Sequence, residues 1–167
     1  MNPLDPSMIH THFRAREIGY AVDQEGDFIA RFSGYREAIG SSLALLVEIV
    51  GEPAEVLTVT VLADRMFPTE LVPELLVVTN TWAGGHRWPQ PVVDQRKDEV
   101  SIRLHQSLRC AAGVTQEQLD DFINIVFGGA VMFWRDFKAT DVLTPALVEQ
   151  TISHLEVMLG EQRPDAF

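Results

Sequence analysis

Polar and apolar residues alternate along two stretches of the chain, and this alternation predicts β-strands. In residues 56–64, Leu57, Val59 and Val61 fall on one face and the two threonines fall on the other, which indicates a strand with one face in water. Residues 100–110 alternate in the same way and predict the longest strand, with Cys110 on the buried, apolar face.

Three other stretches predict strands from shorter patterns. Residues 20–32 contain two apolar runs on either side of an acidic turn with Gly26, which is typical of a hairpin. Residues 91–95 indicate a further short strand. Residues 43–47 are apolar without interruption, so a strand covered on both faces and a buried helical turn both remain open.

Apolar residues recur every three or four positions in four stretches, and this spacing predicts helices. The first helix spans 7–17, with Ser7 as its cap. A central helix begins between Thr69 and Val72 and ends at Gly84, which is free to adopt a positive φ. Its apolar stripe consists of Leu71, Leu75, Val78 and Trp82.

The longest helix runs from Thr115 to about residue 137, because Thr115 and Gln118 form a capping box at its start. It contains Gly128 and Gly129, each of which costs about 1 kcal/mol relative to alanine inside a helix. We therefore expect another backbone, a sheet or a partner helix to pack closely against this pair.

A last helix is predicted from Thr144, where a capping residue is followed by proline at the first helical position. It ends at Gly160, and its apolar stripe consists of Val148, Ile152, Leu155 and Leu159. The order of elements predicts an α+β fold in which an antiparallel sheet carries helices mainly on one face. We expect one domain over 1–167, with 139–167 as a C-terminal helical extension.

Composition limits the classes of binding partner and the cellular compartment that we expect for this protein. The net charge of −11 argues against nucleic acid, which needs a basic footprint, and suits solubility or a basic or amphipathic peptide. The single cysteine forms no intrachain disulfide, and the first residues lack the pattern of a signal peptide. No apolar run approaches the ~20 residues of a membrane span. We therefore expect a cytoplasmic protein without a membrane partner.

Residues that could perform chemistry do not form a recognisable set. His10 and His12 point in different directions from one helix, and the remaining histidines are predicted on separate elements. Neither glycine pair has the strand-to-helix context of a phosphate-binding loop. The sequence therefore predicts no catalytic residue, no cofactor and no metal site.

The stretch NTWAGGHRWP, residues 80–89, is the most unusual in composition. The main interpretation is a structural corner, in which Trp82 is buried, Asn80 bonds to the loop backbone, and His86 and Arg87 lie on the surface. Tryptophan and arginine are also enriched at binding hot spots, which keeps a peptide-binding role open. The candidate residues for either role are Asn80, Trp82, His86, Arg87 and Trp88.

These residues also carry a family resemblance. A helix that ends in Asn-x-Trp, followed by Trp-Pro at the start of a strand, resembles the YbjN domain family. The other matching positions are Gly19-Tyr20, Gly26-Asp27, Arg65 to Pro68, Gly113 to Thr115, Gln118-Leu119 and Phe133-Trp134. The resemblance covers about residues 7–138. Ala83 departs from it, because many members have a second asparagine there, and so does Val92, where an aromatic residue is common.

The resemblance implies a fold like that of type III secretion chaperones, which are dimeric, acidic, non-enzymatic peptide binders. The family is described both as sensory-transduction regulators and as chaperone-like peptide binders. The leading hypothesis is therefore a non-enzymatic module that binds a peptide or protein as a homodimer. A dimeric regulatory or scaffold protein without a peptide groove is the second hypothesis, and an enzyme with a cryptic site is the third. The candidate dimer interface consists of Gly128, Gly129, Met132, Ile152 and Leu155.

Overall fold

A computed structural model describes residues 2–51, 55–96 and 99–138. Within them, the elements are α1 (Pro6–Ala15), β1 (Tyr20–Val22), β2 (Phe28–Phe32), α2 (Arg36–Ile39), β3 (Leu43–Val50), β4 (Val56–Ala63), β5 (Phe67–Pro68), a 3₁₀ turn (Thr69–Leu71), α3 (Val72–Gly85), β6 (Gln90–Arg96), β7 (Glu99–Arg109) and α4 (Gln116–Lys138). The helix predicted from Thr144 lies outside the described residues.

The strands form an antiparallel sheet in the order β1-β2-β3-β4-β7, and both β5 and β6 also pair with β7. This arrangement confirms the predicted α+β fold. Residues 43–47 belong to β3, which pairs with β2 on one side and β4 on the other. The run is apolar because β3 has a fully buried face and a half-buried face, so neither face needs a polar residue.

Helices α1 and α4 pack on one face of the sheet, which we call the front face. Phe13 of α1 stacks on Tyr20 at 4.9 Å between ring centroids, and Phe127 of α4 contacts Phe32 at 4.5 Å. The core between helices and sheet is closed by large aromatic side chains near the end of α4, with Trp134 fully buried. Burial of this apolar layer is the main force that holds the helices on the sheet.

Of the two helix caps predicted from the sequence within the described residues, one is confirmed and one is wrong. Asp5, rather than Ser7, caps α1, because its side chain accepts a hydrogen bond from the backbone N–H of Ser7 at 2.8 Å. The capping box of α4 is confirmed. The backbone N–H of Gln118 donates to Oγ1 of Thr115 at 3.1 Å, and the backbone N–H of Thr115 donates to Oε1 of Gln118 at 3.0 Å.

The sequence predicts that one face of β4 is exposed to water, and this prediction is wrong. Thr58 and Thr60 are only 8% and 7% exposed. Strand β4 lies in the middle of the sheet, so the side chains of its neighbours shield the threonines. Thr58 bonds to Ser107 at 3.1 Å, and Thr60 faces His105 across the pairing of β4 with β7.

The predicted end of α3 is also wrong. The helix continues through Gly84 and ends at Gly85, and neither glycine adopts a positive φ. His86 takes an extended conformation directly after the helix. Its ring occupies the end of the helix, so a left-handed glycine is not required there.

Candidate functional site

The corner at residues 80–89 is built around Trp82. The indole packs edge-on against Phe133 of α4, with ring centroids 5.4 Å apart, and is nearly buried. His86 stacks on the same indole at 4.0 Å, and its Nδ1 lies 2.9 Å from the carbonyl oxygen of Trp82. His86 is therefore half-buried rather than on the surface, and it satisfies a free carbonyl at the end of α3.

The other three candidate residues of the corner are exposed. Asn80 forms no side-chain hydrogen bond with any described residue, so its predicted bond to the loop is wrong. Arg87 is exposed, and its carbonyl oxygen accepts a hydrogen bond from Gln90. Trp88 is 49% exposed. The structure thus divides the five candidates into a packed pair and three residues free to meet a partner.

The two glycines of α4 have different surroundings. A Cβ atom on Gly129 would lie 3.0 Å from the carbonyl oxygen of Trp88 and would collide with Cδ of Pro89. The predicted close approach of another backbone is therefore observed at this glycine. A Cβ atom on Gly128 would meet no atom within 4 Å.

The candidate dimer interface is only partly described. Gly128 and Met132 are exposed on α4, together with Ile125 one turn earlier, and they form a continuous outer stripe. Gly129 is half-buried beneath Trp88 and Pro89. The remaining two interface candidates, Ile152 and Leu155, lie outside the described residues.

The sheet face opposite the helices, which we call the back face, carries a groove. Ile29 of β2 alternates with Phe28, which contacts the rings of α1, so Ile29 points away from the helices. The groove has a volume of about 530 Å³ and lies where β2 ends, β3 begins and β4 ends. Its apolar lining residues are Ile29, Leu43, Ala44, Leu46, Leu62 and Ala63.

One end of the groove is polar and held by hydrogen bonds. Asp64 accepts a bond from the backbone N–H of Ser42 at 2.7 Å and another from the hydroxyl of Ser41. The guanidinium of Arg36 donates to Asp64 and to Ser42, each at 3.0 Å. Arg31 is exposed on the same face. The groove is therefore an apolar floor with arginines at its edge.

Two titratable residues lie on the back face beyond the groove. Burial raises the pKa of Glu48, which stands two positions along β3 from Leu46, and the nearby Asp27 raises it further. Burial lowers the pKa of His105 on β7, and Arg103 lowers it as well. Both shifts favour the neutral form of the side chain.

The described histidines are too dispersed to share a ligand. His10 bonds to Tyr20, His12 to Asp120, and His105 lies 3.5 Å from Thr60. Among residues 2–51, 55–96 and 99–138, no group of three or more histidine, cysteine, aspartate or glutamate side chains could hold a metal ion. Cys110 is buried, and burial raises the pKa of its thiol, which opposes nucleophilic chemistry.

Comparison with known proteins decides the family. The family model of YbjN, described as "Putative bacterial sensory transduction regulator", matches residues 5–139. The chain belongs to the YbjN family. The structure is similar to the crystal structure of YbjN, described as "a putative transcription regulator from E. coli", with a TM-score of 0.66. The two chains are 12% identical, and the similarity covers 81% of this chain and 92% of the other, so it shows the fold alone.

No curated protein matches this YbjN-family chain. In the part of the chain that the structure describes, no helix is long and apolar enough to span a membrane. All residues of the groove fall inside the matched range, whereas almost all of 139–167 follows it. The groove is therefore part of the family domain. The sequence patterns did not predict it.

Proposed function

We propose that this YbjN-family protein is a non-enzymatic, chaperone-like module that binds an amphipathic peptide or protein segment in the groove of the back face. In this proposal it acts in the cytoplasm as a homodimer and uses no cofactor. The observation that carries the proposal is an apolar groove of about 530 Å³ on a sheet face that no described helix covers. Apolar surface of this kind usually marks an interaction site.

The chemistry of the groove defines the kind of client. Its floor is aliphatic, because Ile29, Leu46 and Leu62 come side by side from three strands. Its edge carries the positive charges of Arg31 and Arg36. A segment with apolar residues on one side and carboxylates on the other complements both features, whereas a basic segment would be repelled locally despite the net charge of −11.

Binding to the groove can be tested with an array of amphipathic peptides of varied charge and the full-length protein. We expect Leu46→Glu, which places a carboxylate in the floor, to weaken the selected peptides at least tenfold by isothermal titration calorimetry. Val77→Glu is the matched control, because Val77 is 66% exposed on α3, away from the groove. Arg31→Glu reverses an exposed charge at the edge and provides a variant with little risk to folding.

The proposal predicts that acidic amphipathic peptides lose affinity in Leu46→Glu and Arg31→Glu and keep it in Val77→Glu. Thermal unfolding followed by circular dichroism checks that each variant is folded. Equal affinity in all three variants would place the binding site elsewhere. The proposal would be overturned if no peptide bound either to the wild type or to the variant described below, in which Ile152→Ser and Leu155→Ser free the groove.

One observation favours a second candidate function. The stripe of Ile125, Gly128 and Met132 exposes apolar surface on α4, and a homodimer is the commonest way to cover such a stripe. A regulatory or scaffold protein would need only this interface. It predicts that Met132→Glu lowers the molar mass measured by light scattering, while Leu46→Glu leaves both the mass and the partner interactions unchanged.

A further inference from the structure

We infer that residues 139–167 of the same chain occupy the groove when no client is bound, and that this segment competes with the client for the groove. This inference rests on the proposed function, because an internal occupant regulates the groove only if a partner competes for it. The segment follows α4, lies outside the described residues, and comprises 29 residues. Four independent features support it as the occupant.

The first feature is the place where the chain leaves α4. Lys138, the last residue of the helix, donates from Nζ to the carbonyl oxygen of Glu37 at 2.9 Å. The preceding residue, Arg36, lines the groove. Five residues separate Lys138 from Thr144, where the sequence predicts the next helix, and five extended residues span about 17 Å. The segment thus starts beside α2, which carries the groove residue Arg36, and its linker can span about 17 Å.

The second feature is the match of shapes. Three neighbouring strands spaced about 4.8 Å apart give a floor about 10 Å wide, and a helix with its side chains is about 10–12 Å across. The segment has an apolar stripe at helical spacing, with Val148, Ile152, Leu155 and Leu159 on one side. An amphipathic helix on an apolar groove is a recurring mode of recognition.

The third feature is charge. The segment contains five acidic residues and one arginine, Arg163. The edge of the groove presents Arg31 and Arg36, of which Arg36 already shares Asp64. A segment of net negative charge therefore enters a locally positive environment, although the chain as a whole is acidic.

The fourth feature is a buried guanidinium. Arg65 is only 8% exposed, and its Nη2 donates to the carbonyl oxygen of Ile39 at 2.6 Å. Its Nε and Nη1 have no hydrogen-bond partner among the described residues. A Cβ atom on Gly40 would touch both Arg65 and Lys138, so the guanidinium lies beside the end of α4. The guanidinium also lies over the ring of Trp134, 5.5 Å from its centroid, and Asp141, three residues after Lys138, is the first carboxylate of the segment in sequence order.

The outer stripe of α4 is the competing surface for the same segment. A short connection would allow the segment to fold back along α4 and cover Ile125 and Met132. That surface is less suitable, because Asp121 is exposed on the same side of the helix and would repel an acidic segment, whereas Asp136 is paired with Arg135 at 3.7 Å. The groove offers more apolar lining and the opposite charge.

Paramagnetic broadening in the full-length protein distinguishes these arrangements. In a Cys110→Ser background, Glu156→Cys carries a nitroxide label, and the methyl signals of Leu46, Leu62 and Met132 are recorded. We expect strong broadening of the Leu46 and Leu62 signals and none of the Met132 signal. Ile152→Ser combined with Leu155→Ser should abolish the broadening. A mixture of isotope-labelled chains without nitroxide and nitroxide-labelled chains without isotope should show no broadening.

Each other outcome overturns the inference. Broadening of Met132 alone would place the segment on α4, absence of broadening would show that it does not dock, and broadening in the mixed sample would identify a second copy as the occupant. The peptides selected for the groove separate the two proposals. We expect the double serine variant to bind them at least tenfold more tightly than the wild type.

If the leucine signals are not broadened but peptides still bind through Leu46, the inference fails and the proposed function stands. If the leucine signals are broadened but even the double serine variant binds no peptide, the segment is a fixed part of the fold. In that case the proposed function fails, and the regulatory role fails with it.

Discussion

Substitution of each of the two neighbouring glycines of α4 by alanine tests whether glycine is required there for lack of space. Gly128 and Gly129 occupy the same helix, so alanine brings the same gain in helix propensity at both, about 1 kcal/mol. Their surroundings differ. The new Cβ atom meets nothing within 4 Å at Gly128, but it collides with Pro89 at Gly129.

The expected magnitudes follow from these contacts. At Gly128 the gain in propensity is unopposed, and we expect the free energy of unfolding to rise by up to about 1 kcal/mol. At Gly129 the obstructing atoms are a proline ring and the carbonyl oxygen of Trp88, neither of which is the end of a flexible side chain. Overpacking of this kind costs about 1–3 kcal/mol. Because the gain in propensity offsets about 1 kcal/mol of this cost, Gly129→Ala should lower the free energy of unfolding by up to about 2 kcal/mol.

Urea denaturation of both variants and the wild type measures the difference directly, and an unchanged m value would confirm that the denatured state is the same. The reasoning would be refuted if Gly129→Ala were as stable as Gly128→Ala, because the loop would then not press on the helix. Light scattering should accompany the measurement. A loss of stability in Gly128→Ala together with a lower molar mass would mean that a partner helix packs at that position.

The remaining predictions concern stability, assembly and metal content. Trp82→Ala should cost about 3–5 kcal/mol of stability, because the indole is buried against Phe133 and His86; a thermal midpoint within a few degrees of wild type would contradict its burial. Burial lowers the pKa of His12 below its usual value near 6.5, Arg16 lowers it further, and the bond to Asp120 only partly opposes the shift. The unfolded chain therefore binds the proton more readily, and stability should fall as pH drops below about 6.5, with a smaller slope in His12→Gln. Light scattering at micromolar concentration should give twice the chain mass, and a monomer mass throughout would exclude the homodimer. Elemental analysis of untagged protein should show no stoichiometric zinc, iron or copper.

Features set by short stretches of sequence were predictable. The capping box at Thr115 needs only residues within one helical turn, and its two hydrogen bonds are present as expected. Strand β4 and the hairpin of β1 and β2 follow from local alternation and a turn. The α+β fold class was predictable for the same reason, because it depends on the type and order of elements rather than on their exact packing.

Features decided by side-chain contacts were not predictable. Gly84 is the residue type that commonly ends a helix, yet α3 continues to Gly85, and the ring of His86 stacks on Trp82 and reaches its carbonyl oxygen. The threonines of β4 suggest a wet face, but their exposure depends on which strands flank β4. At Gly84 the outcome was set by the ring of His86 two residues later, and at the threonines it was set by flanking strands, of which β7 is remote in sequence.

The groove could not be predicted from the sequence, because no single strand has a pattern that indicates it. Ile29, Leu46 and Leu62 are single apolar residues on the side of a strand that a helix does not cover. Their proximity depends on register: Ile29 pairs with Leu46, and Leu62 pairs with the position two residues before Leu46. A shift of one residue in either pairing would turn one of these side chains to the front face. Register in antiparallel hairpins is fixed by the length of the connecting segment, and residues 51–55 connect β3 to β4. Insertion of one residue between these strands should therefore disperse the groove while leaving every strand pattern intact, which is why the patterns alone could not reveal it.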